Sequence, residues 1–172
     1  MADPDIPVLL DNNAISACHE VGCWDALVAH RQLETVREVE REAGTGYQHR
    51  RVIDPRKFRE QVTIHEVTQE ERLDRAAQYA ELAALDDGER DLWVHALGRE
   101  NGWRLCGPDI ASIRFGVRAG LGDRLISLEA LLDAIGLKPK RPLRAHFTSK
   151  WLAEKIEQFS LELRFEKLKP KP

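Results

Sequence analysis

Cysteine is scarce in this chain of 172 residues: there are three, and no short C-x-x-C joins them. That count excludes a disulfide framework and argues against a structural zinc site. Cys18, His19 and Cys23 are close in sequence, and His19 and Cys23 would share a helix face. Further zinc ligands have no evident source, however, so core thiols are the simpler reading. Long apolar runs are also missing, and nothing approaches the roughly 18 residues a membrane span requires. The opening Met-Ala-Asp-Pro-Asp lacks the basic and apolar regions of a signal peptide, so the expectation is a cytoplasmic protein without membrane contact. Excess positive charge is absent too: the formal net charge is −3, and nucleic-acid binding would have to come from a local basic patch. What remains is the composition of one globular domain, long enough to bury a core.

The hydrophobic pattern alternates between short strands and helices. Residues 6–10 read as a buried strand, and residues 13–30 as one helix capped by Asn12 or Asn13. Leu33 to Val36 leads into the acid-rich helix TVREVEREAG, with Gly44 as its C-cap. Residues 45–60 are rich in basic and turn residues and predict an irregular, exposed stretch. QVTIHEV (61–67) alternates and is β-branched, which predicts a strand. Thr68 and Glu71 form a capping box opening a helix to about Leu85. A turn at Asp87-Gly88 starts a helix that ends near Gly102; WRLC is a strand and DIASIRFGVRAG a helix. DRLIS is a further strand, and LEALLDAIG is a helix stopped by Gly136. This alternation predicts an α/β fold around a mostly parallel sheet. Residues 1–137 form the main domain. Residues 138–172 are a basic, proline-punctuated linker, then a final helix or helix plus strand packed on the same domain, with a frayed end at KLKPKP.

Acids stand at informative places. Asp11 directly follows the first apolar strand and Asp109 follows WRLC, so in a parallel sheet both lie at the same carboxyl edge. Glu38 and Glu42 lie four apart on one helix face, and Glu89 and Asp91 open another helix after a glycine turn. Each alone is explained by helix capping, the helix dipole or a solvated face. Several carboxylates gathered at one edge would repel each other and rise in pKa unless a cation neutralised them. Carboxylate oxygens without His or Cys suit a hard ion, Mg²⁺ or Mn²⁺.

VLLDNNAIS, TVREVEREA, LDDGERDLWVHAL and GPDIASIRFG…GDRLISLEALL occur in the order, and at roughly the spacing, of the motifs of PIN-domain nucleases. Over about residues 6–137 the chain resembles that family, and is similar to the branch containing the toxin ribonucleases of bacterial toxin–antitoxin pairs. The resemblance implies a three-layer PIN-like fold, here with an extra C-terminal helical segment. It also implies a metal-dependent endoribonuclease acting on single-stranded or structured RNA. Carried over by motif, the metal-holding catalytic acids are Asp11, Glu42, Glu89 and Asp109, with Asp91 as helper or substitute. Asn13 takes the polar position after the first acid, and Glu38 is the fallback for Glu42. The implied cofactor is Mg²⁺ or Mn²⁺, and the implied partners are RNA, a cognate antitoxin protein and a second copy of the chain. Two features depart from the family: Gly107-Pro108 stands where Thr or Ser often precedes the last acid, and the chain is longer than a typical toxin of this type.

Substrate contact would fall to Arg114 and Arg118, four apart on the helix opened by Asp109, and to Lys138, Lys140, Arg141 and Arg144 of the linker. A solubilising helix face and linker explains those charges equally well. Trp24, Trp93, Trp103 and Trp151 could stack bases, although three lie in apolar-patterned segments and read as core. His65 and His95 read as strand and helix residues rather than general bases. A haloacid-dehalogenase-type phosphatase also begins with a strand ending in Asp, but needs a second Asp where this chain has Asn13. The competing reading of another class is a PIN-like module without catalysis, serving to bind RNA or protein.

Overall fold

The computed structural model describes residues 6–46, 52–100 and 102–168. Four strands form one all-parallel sheet: β1 (Val8–Leu10), β2 (Leu33–Val36), β3 (Thr63–His65) and β4 (Arg104–Cys106), ordered β3-β2-β1-β4. A parallel sheet needs cover on both faces, and Val8, Leu9, Leu10, Leu33, Val36 and Leu105 are all buried. The cover is α1 (Asn12–Glu20), α2 (Trp24–His30), α3 (Arg37–Thr45), α4 (Pro55–Gln61), α5 (Gln69–Gln78), α6 (Asp87–Leu97), α7 (Ile110–Arg118), α8 (Leu128–Asp133) and α9 (Ser149–Leu168). The fold is α/β, a parallel sheet flanked by helices. Among the described residues no helix is long and apolar enough to cross a membrane.

Register decides where the strands end. Val8 lies opposite Leu33 and Arg104, Leu10 opposite Cys106, and Val36 opposite His65. Leu10, Val36, His65 and Cys106 therefore finish along one edge. The residues that follow them, including Asp11 and Gly107, start there.

Several boundaries differ from the sequence pattern, each for a local reason. The predicted helix 13–30 is two helices, because Gly22 takes a left-handed φ of 73° and turns the chain between α1 and α2. α3 is closed by Gly46 in the left-handed conformation rather than by Gly44. Within the stretch expected to be irregular, Asp54 caps α4 at Pro55 and Phe58 is buried; residues 47–51 lie outside the described residues. The capping box at Thr68 and Glu71 is formed. Its helix stops at Gln78, and Tyr79 leaves helical geometry so that a 3-10 turn (Ala80–Ala84) can bury Leu82.

α6 ends at Leu97, earlier than expected, with Gly98 as C-cap. The expected strand DRLIS is a 3-10 turn (Gly122–Arg124) followed by one parallel bridge from Leu125 to Leu105. The final segment is one continuous helix, α9, with no strand, and its last residues 169–172 lie outside the described residues. α9 lies along α7, anchored by Phe159, which is buried, and by Arg114, whose guanidinium sits 4.6 Å above the Phe159 ring. Trp24, Trp93 and Trp103 are core residues; Trp151 on α9 is half-buried.

Candidate active site at the carboxyl edge of the sheet

Three helix caps bring carboxylates to this edge. Asp11 caps α1, its Oδ1 accepting from the Ala14 amide at 2.7 Å. Asp109 caps α7, its Oδ1 accepting from the amides of Ala111 (2.7 Å) and Ser112 (3.2 Å). Asp86 caps α6 through the Glu89 amide. Capping occupies Oδ1 of Asp11 and of Asp109 and turns the positive ends of two helices toward the acids, which lowers the cost of their charge.

Glycines set the close approaches. β4 ends beside β1, and the Asp11 amide donates to the Cys106 carbonyl. The next residue, Gly107, packs so tightly that a Cβ there would lie 2.8 Å from Asp11 Oδ2. Across the edge, a Cβ on Gly88 would lie 3.0 Å from both carboxylate oxygens of Glu42. So Glu42, on α3, reaches the start of α6, where Glu89 follows Gly88.

Glu89 shows the electrostatic consequence. It is 8% exposed. Burial, with the charges of Asp109, Asp86 and Asp11 nearby, pushes its carboxyl up to about 9, so it holds a proton at neutral pH. The ring is nonetheless loose. Among the described residues, the one group of three whose ligand atoms lie within 4.8 Å of one another is elsewhere, at Glu34, His65 and His95. A hard cation fits the acidic donor set in its chemistry, and closing on it would need the carboxylates to draw together by side-chain movement.

Other expected residues have different employment. Asp91 is buried and bound through both oxygens by Arg72, at 2.8 and 2.7 Å, which makes it one half of an ion pair between α5 and α6. Glu38 is paired with Arg41, and Asn13 is half-buried in the first turn of α1. The arginines expected on RNA face glutamates: Arg114 lies 3.8 Å from Glu162, Arg118 2.8 Å from Glu166, and Arg144 3.4 Å from Glu20. Cys18, Cys23 and Cys106 are free, buried thiols; burial and the neighbouring Cys23 push Cys18 up to about 12, so thiolate ligation there is costly.

Sequence reasoning missed Asp86, although its place three residues before Glu89 is a capping spacing that could have flagged it. It also missed Glu40, where burial pushes the carboxyl up but hydrogen bonds from Arg59 and Arg37 outweigh that and hold it low. Compared with protein-family models and with curated proteins, the chain shows no match.

Proposed function

We propose that the chain is a metal-dependent endoribonuclease of the PIN-domain type. The observation that carries this reading is Glu89: a buried carboxyl pushed up to about 9 beside Asp109, Asp86 and Asp11 is a site short of positive charge. Glu42, arriving at Gly88 from α3, adds a fourth element to the same edge. The cofactor of this reading is Mg²⁺ or Mn²⁺, held by Asp11, Glu42, Glu89 and Asp109. Such an ion supplies charge stabilisation of the scissile phosphate and leaving oxygen when bound. The protein's part is positional: helix caps fix Asp11 and Asp109, and Glu89, protonated when no ion is present, would have to release that proton to solvent to hold one. RNA is the substrate of this reading, and a toxin role with a cognate antitoxin is the biological setting the resemblance implies.

The looseness of the acidic edge, where among the described residues no three ligand atoms lie within 4.8 Å of one another, favours a second reading, a PIN-like binding or interaction module without turnover. One experiment separates the two. Asp109→Asn keeps the shape and the α7 cap but removes a charge that a cation ligand must carry. Cleavage of single-stranded RNA with Mn²⁺ or Mg²⁺ is expected to fall at least about a hundredfold, or about 2.7 kcal/mol of barrier. RNA affinity measured without metal is expected to hold or rise. A wild-type protein that binds RNA and never cleaves it with either metal establishes the module; equal cleavage by both proteins reduces Asp109 to a helix cap.

A further inference from the structure

Apart from Asp11, Glu42, Glu89 and Asp109, three other side chains, Glu34 on β2, His65 on β3 and His95 on α6, bring ligand atoms within 4.8 Å of one another. All three are half-buried. His65 Nε2 lies 2.7 Å from Glu34 Oε2, and the two imidazoles stack with centroids 4.0 Å apart. Arg99, just past the C-cap of α6, reaches into this group. Its Nη1 donates to Glu34 Oε2 and lies 3.2 Å from His95 Nε2. A guanidinium can only donate, so His95 Nε2 is the acceptor and carries a lone pair aimed at a cation.

We propose that Glu34, His65 and His95 are a binding site for Zn²⁺ or a similar borderline transition ion, whose place the Arg99 guanidinium keeps until the ion displaces it. Two imidazole nitrogens and one carboxylate oxygen select such an ion over Mg²⁺, the reverse of the all-carboxylate edge. Three protein ligands leave a fourth position for water. Binding asks for side-chain movement and for the proton on His65 Nε2, which now faces Glu34 Oε2, to move to Nδ1 or be released to solvent. Arg99 withdraws from a position beyond the helix end, and each ring turns so that its lone pair meets the ion in the ring plane. The ion would tie the edge strand β3 to β2 and to α6, which also carries Glu89. The site stands independently of the nuclease reading.

The test is titration of the metal-free protein with Co²⁺, followed by its visible d–d absorption, and then displacement by Zn²⁺ with a melting curve at each stage. One equivalent of Co²⁺ without a thiolate charge-transfer band, and a higher melting temperature with Zn²⁺, are expected. Glu34→Gln and His95→Gln are expected to weaken Zn²⁺ at least about tenfold. Arg99→Ala is expected to tighten it, because the competing cation is gone; this variant removes no donor, so it decides the matter even if a donor variant fails to fold. Asp11→Asn is expected to leave the Co²⁺ spectrum unchanged. The proposal is overturned by absence of Co²⁺ binding, by a thiolate band that assigns the ion to cysteine, by loss of the spectrum in Asp11→Asn, or by an Arg99→Ala variant that binds Zn²⁺ no more tightly than wild type.

Discussion

Among the carboxyls, Glu89 is pushed far above its ordinary range, up to about 9. Its folded pKa, about 9, lies above the unfolded value of 4.5, so between these the folded state holds the extra proton. Stability then falls as pH rises through that window. His95 works the other way. Burial, with His65 and Arg99, pulls it down to about 4, so its contribution is lost as pH falls below its ordinary 6.5. From pH 6.5 to 9 the Glu89 effect stands clear of His95. In chelator, the melting temperature is expected to drop across that range, and Glu89→Gln is expected to flatten the slope. At pH 8.5 the variant is expected to melt at least about 3 °C higher, on the order of 1 kcal/mol for a chain of this size. A wild-type melting temperature independent of pH between 6.5 and 9 would show that Glu89 is not strained.

Gly107 is the other decisive residue. A methyl group there would meet Asp11 at 2.8 Å from Oδ2 and 3.0 Å from Cγ, on the short side chain that also caps α1. Gly107→Ala is expected to cost about 1–3 kcal/mol in urea unfolding by overpacking, and to weaken Mn²⁺ binding by turning the Asp11 carboxylate away. Unchanged stability and unchanged Mn²⁺ affinity together would mean that the loop after β4 yields easily. The glycine was visible in the sequence as part of a Gly-Pro turn. Its contact with Asp11, almost a hundred residues away, was not, because only strand register makes them neighbours.

At the scale of elements, local chemistry predicted helix starts better than helix ends. Thr68 and Asp109, expected to open helices, each accept from an amide in the first turn, a short-range interaction written in a few adjacent residues; Asp54, Asp86 and Ser127 do the same and were not foreseen. Ends depend on what a helix meets. α5 stops at Gln78 so that Leu82 can enter the core, and the segment 13–30 breaks so that Trp24 can stack on His19 and Phe58. α9 is the clearest case: its pattern left strand or helix open at the end, and contact with α7 resolves it. Phe159 is the anchor, 2% exposed beneath the Arg114 guanidinium. Phe159→Ala is expected to destabilise the protein by about 3–5 kcal/mol. Guanidinium unfolding with a cost under about 1 kcal/mol would show that α9 is dispensable to the domain.

For the whole molecule, the nuclease reading makes a divalent ion at the acidic edge a folding ligand. An ion bound only by the folded state, at a hundred times its Kd, adds about 2.7 kcal/mol. Saturating Mn²⁺ is therefore expected to raise the melting temperature by roughly 5–10 °C. Asp11→Asn is expected to remove the shift. A wild-type curve unmoved by Mn²⁺ and Mg²⁺ would leave the edge as a set of helix caps.

The sequence alone determined the α/β alternation and the placement of Asp11 and Asp109 just after β1 and β4, because periodicity and capping are local properties of the chain, while the strand expected at DRLIS became a 3-10 turn. Which acids share a neighbourhood was decided only by the tertiary structure. Parallel register places Gly107 against Asp11, and helix packing brings Glu42 to Gly88. The same packing assigns Asp91 to Arg72, and gives Arg114 and Arg118 partners on α9 that no spacing in the sequence announces. It also gathers Glu34, His65 and His95 from β2, β3 and α6, three elements far apart along the chain. Ion pairs and clusters of this kind depend on which surfaces meet once the core has closed, and burial then sets the charge each group can carry.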